Sequence, residues 1–508
     1  RVVERSLLGP GGSITFAIPD HPWVSSEEGA AVRVAMTVGE KGQRNGQLVE
    51  VLEETPADDE YARVSLIERL GRIHANLTIG VDVASATPLQ ANDGISTRGV
   101  VLHGAGFQVT AGEASVLGLG RTPGLEKHIR HYINGKDLLQ TSRNHLAIDL
   151  YGLTIEEVRE RFPAVYQRLL ERVKPERDQN RREGRRINWW VFGEPVPVWR
   201  EMSKGLRRFL ATVETSKHRV FVWLPQEILP DNMLVNIALE DAFYLGVLSS
   251  RIHVAWSLAA GGRLGIGNDP RYNKTRCFEP FPFPICSETQ KQRIRDLGEA
   301  LDAHRKRQQS LHPKLTLTGM YNVLEKLRSG EPLTDKEREI HEQGLVSVLK
   351  QIHDDLDVAV FDAYGWPPTL TDDEVLERLV ALNHERAEEE KRGLVRWLRP
   401  EFQSPQGTQP VEQVSLVEAG LEAAEPAPAV KGKKAAKLSW PKDLPGRIVA
   451  VRDLLAELGQ ATPADISRRF KGVQAEHAEK LLESLAAVGV ALETASGEKG
   501  GRTWSLVR

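Results

Sequence analysis

Between residues 402 and 437 the chain turns to Gln, Pro, Ala, Glu and Lys with few large apolar side chains, and that stretch forbids one continuous core. A segment of this composition cannot bury enough apolar surface to offset the entropy of ordering it, so it reads as a flexible linker. The 508 residues therefore divide into a large body, 1–401, and a small unit, 438–508. In the small unit, Gly446 to Leu458, Pro463 to Phe470 and Glu476 to Val488 carry helical amphipathic spacing, and Ala491 to Val507 reads as a β-wing. Three helices and a hairpin predict a winged-helix-like domain.

Within the body, the apolar runs Ser13–Ile18 and Ala30–Val38 read as buried strands, and residues 46–55 supply a third. Leu66, Ile67, Leu70 and Ile73 fall on one helical face, which predicts a helix over 58–80. Glycines and alternating valines from Gly99 to Val116 suggest short strands and turns. Thr154 followed by Glu157 is a capping signature that opens a helix. Residues 205–286 alternate strand-like runs with turns and then a helix, Glu240 to Ser257, which is a mixed α/β texture. From Glu288 the texture becomes helical through 289–310, 317–329, 334–363 and 371–398.

No apolar run is long enough to span a membrane, and no secretory leader opens the chain, which begins at Arg1 in mid-pattern and reads as a fragment. Cys277 and Cys286 are the only cysteines, which fits a reducing cytoplasm, and their spacing matches no zinc pattern, so no metal site is expected. Asp20-His21 has no identifiable nucleophile beside it, so no catalytic residue is assigned. The net charge of −3 announces no nucleic-acid partner globally, so any basic surface must be local.

Such charge is concentrated in three stretches. Residues 168–186 carry eight Lys/Arg against four acids, and 199–219 and 260–276 are also basic. Each alone is most simply a solvated face. In succession, and interleaved with Trp189, Trp190, Phe192, Trp199, Phe209, Phe221, Trp223 and Tyr272, they offer phosphate contacts and stacking planes, although several of these aromatics must be core. The Gly-rich run from Ala259 to Arg276 lets the backbone approach another molecule and carries Arg, Asn and Lys donors suited to base edges. The residues singled out for DNA contact are Arg185, Arg186, Arg207, Lys217, His218, Arg219, Arg263, Asn268, Arg271, Tyr272, Asn273, Lys274 and Arg276. By contrast, residues 331–362 are too acidic to lie on phosphate.

Several long words carry a resemblance: Asn188 to Pro195, Thr212 to Arg219, Leu229 to Asn232, Leu248 to His253, and Gly267 to Phe278 with Pro280 to Pro284. In this order they resemble the MmeI-like single-chain DNA methyltransferases of type II restriction–modification, over roughly residues 1–400. The resemblance implies an adenine-N6 methyltransferase using S-adenosylmethionine, followed by a target-recognition domain that holds double-stranded DNA. It implies that residues 1–98 are the C-terminal end of the methyltransferase sheet and 99–286 the recognition domain, which leaves 287–401 as the helical module that the texture after Glu288 predicts. The family's Asn-Pro-Pro-aromatic tetrapeptide is absent, as is a Gly-rich cofactor turn, so cofactor-binding and catalytic residues are expected elsewhere, in the same or a companion chain, and this chain alone is expected to be inactive. The loop of His21 and Trp23 follows a strand end, where such sheets place ligands, and reads either as a wall of a flipped-base pocket or as a cap on the sheet edge. The rival function is a DNA-binding specificity subunit or scaffold without catalysis; a third is an unrelated RNA-binding or repair protein.

Overall fold

A computed structural model describes residues 12–22, 33–55, 63–74, 77–264, 269–405, 440, positions scattered over 447–458, and 461–470, 474–487, 491–496 and 501–506. The chain separates into two compact units, Arg1–Pro410 and Val411–Arg508.

The larger unit opens with a four-stranded sheet. Its strands are β1 (Gly12–Pro22), β2 (Arg33–Lys41), β3 (Gly46–Thr55) and β4 (Arg63–Gly71), in the order β2-β1-β3-β4. Only the β1–β3 pair is parallel. The three apolar runs thus form strands, but the helix expected over 58–80 is β4, paired along its length with β3. The apparent helical stripe fails because its members go to different places: Ile73 joins a small core with Ile14, Ala17 and Leu48, whereas Leu66 and Leu70 lie exposed on the edge strand. Cross-strand pairing overrides a four-residue coincidence of spacing.

Two further sheets follow. One is antiparallel, built from β5 (Ser96–Arg98), β9 (Arg208–Val213), β10 (Val222–Pro225) and β12 (Leu234–Ile237) in the order β10-β9-β12-β5. The other orders β11-β7-β8-β6, from β6 (Gln108–Val109), β7 (Ile129–Ile133), β8 (Leu146–Ile148) and β11 (Leu229–Pro230). The strand-and-turn reading of 99–116 misses a helix, Ala111–Val116, opened by a reciprocal Thr110–Glu113 capping box. The Thr154 cap forms as read: its hydroxyl accepts from the Glu157 N–H at 3.2 Å, and the Glu157 carboxylate accepts from the Thr154 N–H at 2.7 Å. Thr154→Ala should cost about 1 kcal/mol in urea unfolding. An unchanged midpoint would mean that the cap contributes nothing to this helix.

Among the described residues of this unit, seven helices of eight residues or more follow from Ala242 onward: α1 (Ala242–Ser249), α2 (Arg251–Ala260), α3 (Glu288–Leu311), α4 (Leu317–Ser329), α5 (Asp335–Gly344), α6 (Val346–Ala363) and α7 (Asp372–Lys391). The single helix expected over 240–257 is broken at Ser250, which is extended, and that over 334–363 at Leu345, which is left-handed. Phe209, Trp256 and Phe281 share one buried cluster with Leu301, Leu349 and Val360, so the helices after Glu288 pack on the β9–β10 sheet rather than on one another alone.

In the smaller unit, Pro463–Arg469 and Ala475–Ala487 are helices, and β15 (Ala491–Ser496) pairs with β16 (Gly501–Leu506) as a hairpin; β13 and β14 belong to the Gly-rich hairpin described below. Ile466, Phe470, Leu482 and Trp504 form its core. Positions 447, 450–452, 454, 455 and 458 are helical, the rest of the first expected helix lying outside the described residues. Most of the expected linker, from 406 onward, also lies outside them, but residues 402–405 do not: Gln403 bonds the Ala91 carbonyl.

Candidate nucleic-acid interface

The first basic stretch folds as short helices, Lys174–Asp178 and Glu183–Ile187, around a turn at Asn180–Arg182. Arg186 donates to the Asn180 carbonyl at 2.6 Å and so ties the turn together. Arg185 donates to Nε2 of His103 at 3.0 Å and to Glu194 at 3.3 Å. The interleaved aromatics are not a stacking surface. Trp189, Phe192, Trp199, Phe209, Phe221, Trp223 and Tyr272 are buried, and Trp190 spends its indole N–H on the Leu153 carbonyl.

The second stretch runs from a short helix, Pro197–Ser203, through β9 into the β9–β10 turn, and its charges are largely partnered. Lys217 pairs with Glu325 at 2.6 Å, and His218 donates from Nε2 to Asn322 at 2.7 Å, both partners on α4. Burial holds the His218 pKa below its ordinary value, which keeps the ring neutral. Arg207 is exposed beside Glu240. Arg219 is buried without a carboxylate: it donates to Val213, Thr212 and the Pro270 carbonyl, and it lies 4.9 Å from the Tyr272 ring centre. Burial lowers its pKa to about 10. Tyr272 is fully buried and donates to His253 Nε2 at 3.0 Å; burial pushes the His253 pKa down to about 3, so that nitrogen is free to accept. Arg219 and Tyr272 are therefore internal supports, a correction to their reading as DNA contacts. A planar cation and a ring inside the core cannot reach a groove.

What they support is the Gly-rich hairpin, β13 (Gly262–Leu264) against β14 (Asp269–Arg271). Its base is pinned by Ser216 N–H to the Pro270 carbonyl at 3.2 Å, Tyr272 N–H to the Glu214 carbonyl at 2.6 Å, and the Arg271–Glu214 ion pair at 2.5 Å. A Cβ on Gly261 would stand 2.4 Å from the Arg271 carbonyl, so glycine is required where the hairpin leaves α2. After the hairpin, Asn273 caps a π-helical turn, Lys274–Phe278, by accepting from the Thr275 N–H at 3.1 Å, and Lys274 pairs with Glu279. Asn273 is thus a cap, and Arg276 lies exposed. Trp23, Asn268 and the side chain of Arg263 lie outside the described residues, while His21 lies half-buried near the end of β1.

Beside the hairpin base is a cleft of about 440 Å³ lined by Asn134, Lys136, Thr215, Lys217, Asp231 and Asp269. Amide, ammonium and carboxylate groups face it together, which is the mixture needed to read base edges. The words at Thr212–Arg219, Leu229–Asn232 and Gly267–Phe278 all contribute to it. Reading from sequence missed Arg98, a lone charge on β5, because it joins the basic surface only through tertiary structure. It also passed over His103 and Glu194. Among the described residues, no group of three or more His, Cys, Asp or Glu is disposed to hold a metal ion, and no helix is long and apolar enough to cross a membrane.

A family model described as the MmeI target recognition domain matches residues 95–285. DNA methyltransferase A of Bacillus subtilis (strain 168) is 32% identical over 158 residues, 31% of this chain and 15% of that protein. The type IIL restriction–modification enzyme MmeI, solved in complex with DNA, matches in fold with a TM-score of 0.57 at 21% identity, over 75% of this chain and 47% of that one. The chain thus spans less than half the length of either relative in these matches.

Proposed function

We propose that this chain, whose residues 95–285 match the model of the MmeI target recognition domain, reads a specific site in double-stranded DNA for an adenine-N6 methyltransferase. The observation that carries the reading is the Gly-rich hairpin, held rigidly at its base by Arg219, Ser216 and Glu214 beside a polar cleft, within the segment that matches the family. A hairpin on a rigid mount suits a probe of a groove, where phosphate contacts set register and base-edge contacts set sequence. Arg185, Arg186, Arg207, Arg263, Asn268 and Arg276 remain the proposed contacts. Lys217, His218, Arg271, Asn273 and Lys274 act there only by exchanging their present partners for DNA.

On this reading S-adenosylmethionine and the methyl-transfer residues lie outside these 508 residues, since no Asn-Pro-Pro tetrapeptide is present. The same absence favours a second reading, a specificity subunit with no catalysis of its own. The sheet of β1–β4 is then the end of the methyltransferase sheet, with His21 near the flipped-base pocket. The helix–helix–hairpin order of the smaller unit supports a winged-helix reading.

Selection of bound duplexes from a randomised library tests the proposal. One short site should be enriched over several rounds. Equal retention of all sequences, or preference for single strands or RNA, would overturn it.

A further inference from the structure

Glu194 is held in place by a reciprocal backbone pair with Val101, each N–H donating to the other's carbonyl at 3.0 Å. Three guanidiniums converge on its carboxylate from distant parts of the chain. Arg98 of β5 donates to one oxygen; Arg185 donates to the other at 3.3 Å, and Arg182 approaches that same oxygen at 3.9 Å. His103 lies 4.0 Å away and accepts from Arg185, its pKa lowered by burial and by that arginine's charge. The ring fits there because Gly193 has no side chain; a Cβ would lie 2.4 Å from His103.

One carboxylate neutralises one guanidinium. The others repel one another, and each added cation at this spacing costs energy that solvent only partly screens. A fourth charge deepens the imbalance from beneath. Arg177 is 1% exposed, donates to the Leu102 and Val191 carbonyls, forms no ion pair among the described residues, and leaves Nε and Nη1 without a hydrogen-bond partner. Arg98 and Arg182 meanwhile keep 55% and 70% of their side chains exposed, with donors facing water. A cluster of forked donors with surplus charge, organised rather than dispersed, is suited to a tetrahedral oxyanion.

We propose that Arg98, Arg182 and Arg185, gathered by Glu194, form an anion site that seats one phosphodiester of the DNA backbone. The identity of the ligand rests on the duplex-reading proposal above; the anion site itself does not. Arg98, Arg182 and Arg185 touch the phosphate, while Glu194 and His103 are positioning residues.

Two measurements on the full 508-residue chain test this. In duplex binding across a salt series, the double variant Arg98→Ala/Arg182→Ala should lose affinity equally for every sequence, and its log K against log salt slope should flatten by about one. Arg307→Ala, an exposed arginine on α3, should leave both unchanged. In thermal unfolding, pyrophosphate should raise the wild-type Tm above that in sodium chloride of equal ionic strength, and the double variant should lose that rise. A pyrophosphate effect without duplex binding would support the site and sink the DNA reading. Duplex binding with an unaltered slope in the double variant, or no pyrophosphate effect in the wild type, would overturn the site.

Discussion

Affinity for duplex DNA should fall by about three decades between roughly 50 and 200 mM salt, if about six phosphates are neutralised. The sequence alone offers more cations than that, but the structure reduces the number available. Lys217, Arg271 and Lys274 already hold carboxylates at 2.5–2.6 Å, and Arg219 is internal. A cation that trades a protein carboxylate for a phosphate leaves that carboxylate uncompensated beside DNA, so its net contribution is small. Arg98, Arg182 and Arg185 share one phosphate, and Arg181 on the exposed turn, Arg207, Arg276 and the proposed contacts Arg186 and Arg263 bring the number to about six, as the slope requires. The overall charge of −3 gives no general attraction to mask this local one. Fluorescence anisotropy with a labelled duplex at several salt concentrations measures the slope directly. A response under half the expected steepness would mean that most of these arginines stay out of the interface, and a flat one would exclude phosphate contact altogether.

The contrast between legible and illegible features has a common physical cause. β1, β2 and β3 were readable because each is a local apolar run, and the Thr154 helix because its cap is complete within four residues. β4 was not, since its character depends on pairing with β3, and the spacing of its apolar residues imitates a helix by chance. The Thr110–Glu113 cap is as local as the one at Thr154, and passed unread among glycines and valines that suggest turns. At the interface the basic stretches were visible, but their partners were not. Lys217 meets Glu325 from 108 residues away, and Arg98 meets Glu194 from 96. Charge is written along the chain, whereas neutralisation is a property of the folded surface. The aromatics mislead in the same way: Trp223 lies in β10 between the buried Val222 and Leu224, and Tyr272, next to Arg271 in sequence, is turned wholly into the core.

Gly298→Val should destabilise the larger unit by about 3 kcal/mol or more, at the upper end of overpacking costs. On an ordinary helix surface the change from Gly to Ala would instead stabilise by roughly 0.5–1 kcal/mol, because glycine is the more costly residue to order. Gly298 lies in the middle of α3, where that gain should apply. Its surroundings reverse the sign. A Cβ there would stand 2.5 Å from the Ala242 carbonyl oxygen at the start of α1 and 3.3 Å from the backbone nitrogen of Gly246. Gly246 is equally constrained, its Cβ meeting Ile294 Cγ2 at 2.5 Å and the Ile294 carbonyl at 3.0 Å. Two helices therefore touch backbone to backbone, and no rotamer change relieves a carbonyl. Even Gly298→Ala should lower the urea midpoint, and Val should lower it further. Because α1 belongs to the segment matched as a recognition domain and α3 does not, the substitution also asks whether that domain depends on the helices beyond it. Their shared core of Phe209, Trp256, Leu301 and Val360 predicts that it does, so duplex binding should decline in step with stability. If Gly298→Ala instead raises the midpoint, the two helices stand further apart in solution than their glycines imply. If stability falls while binding at low temperature stays intact, the recognition sheet holds its shape without α3.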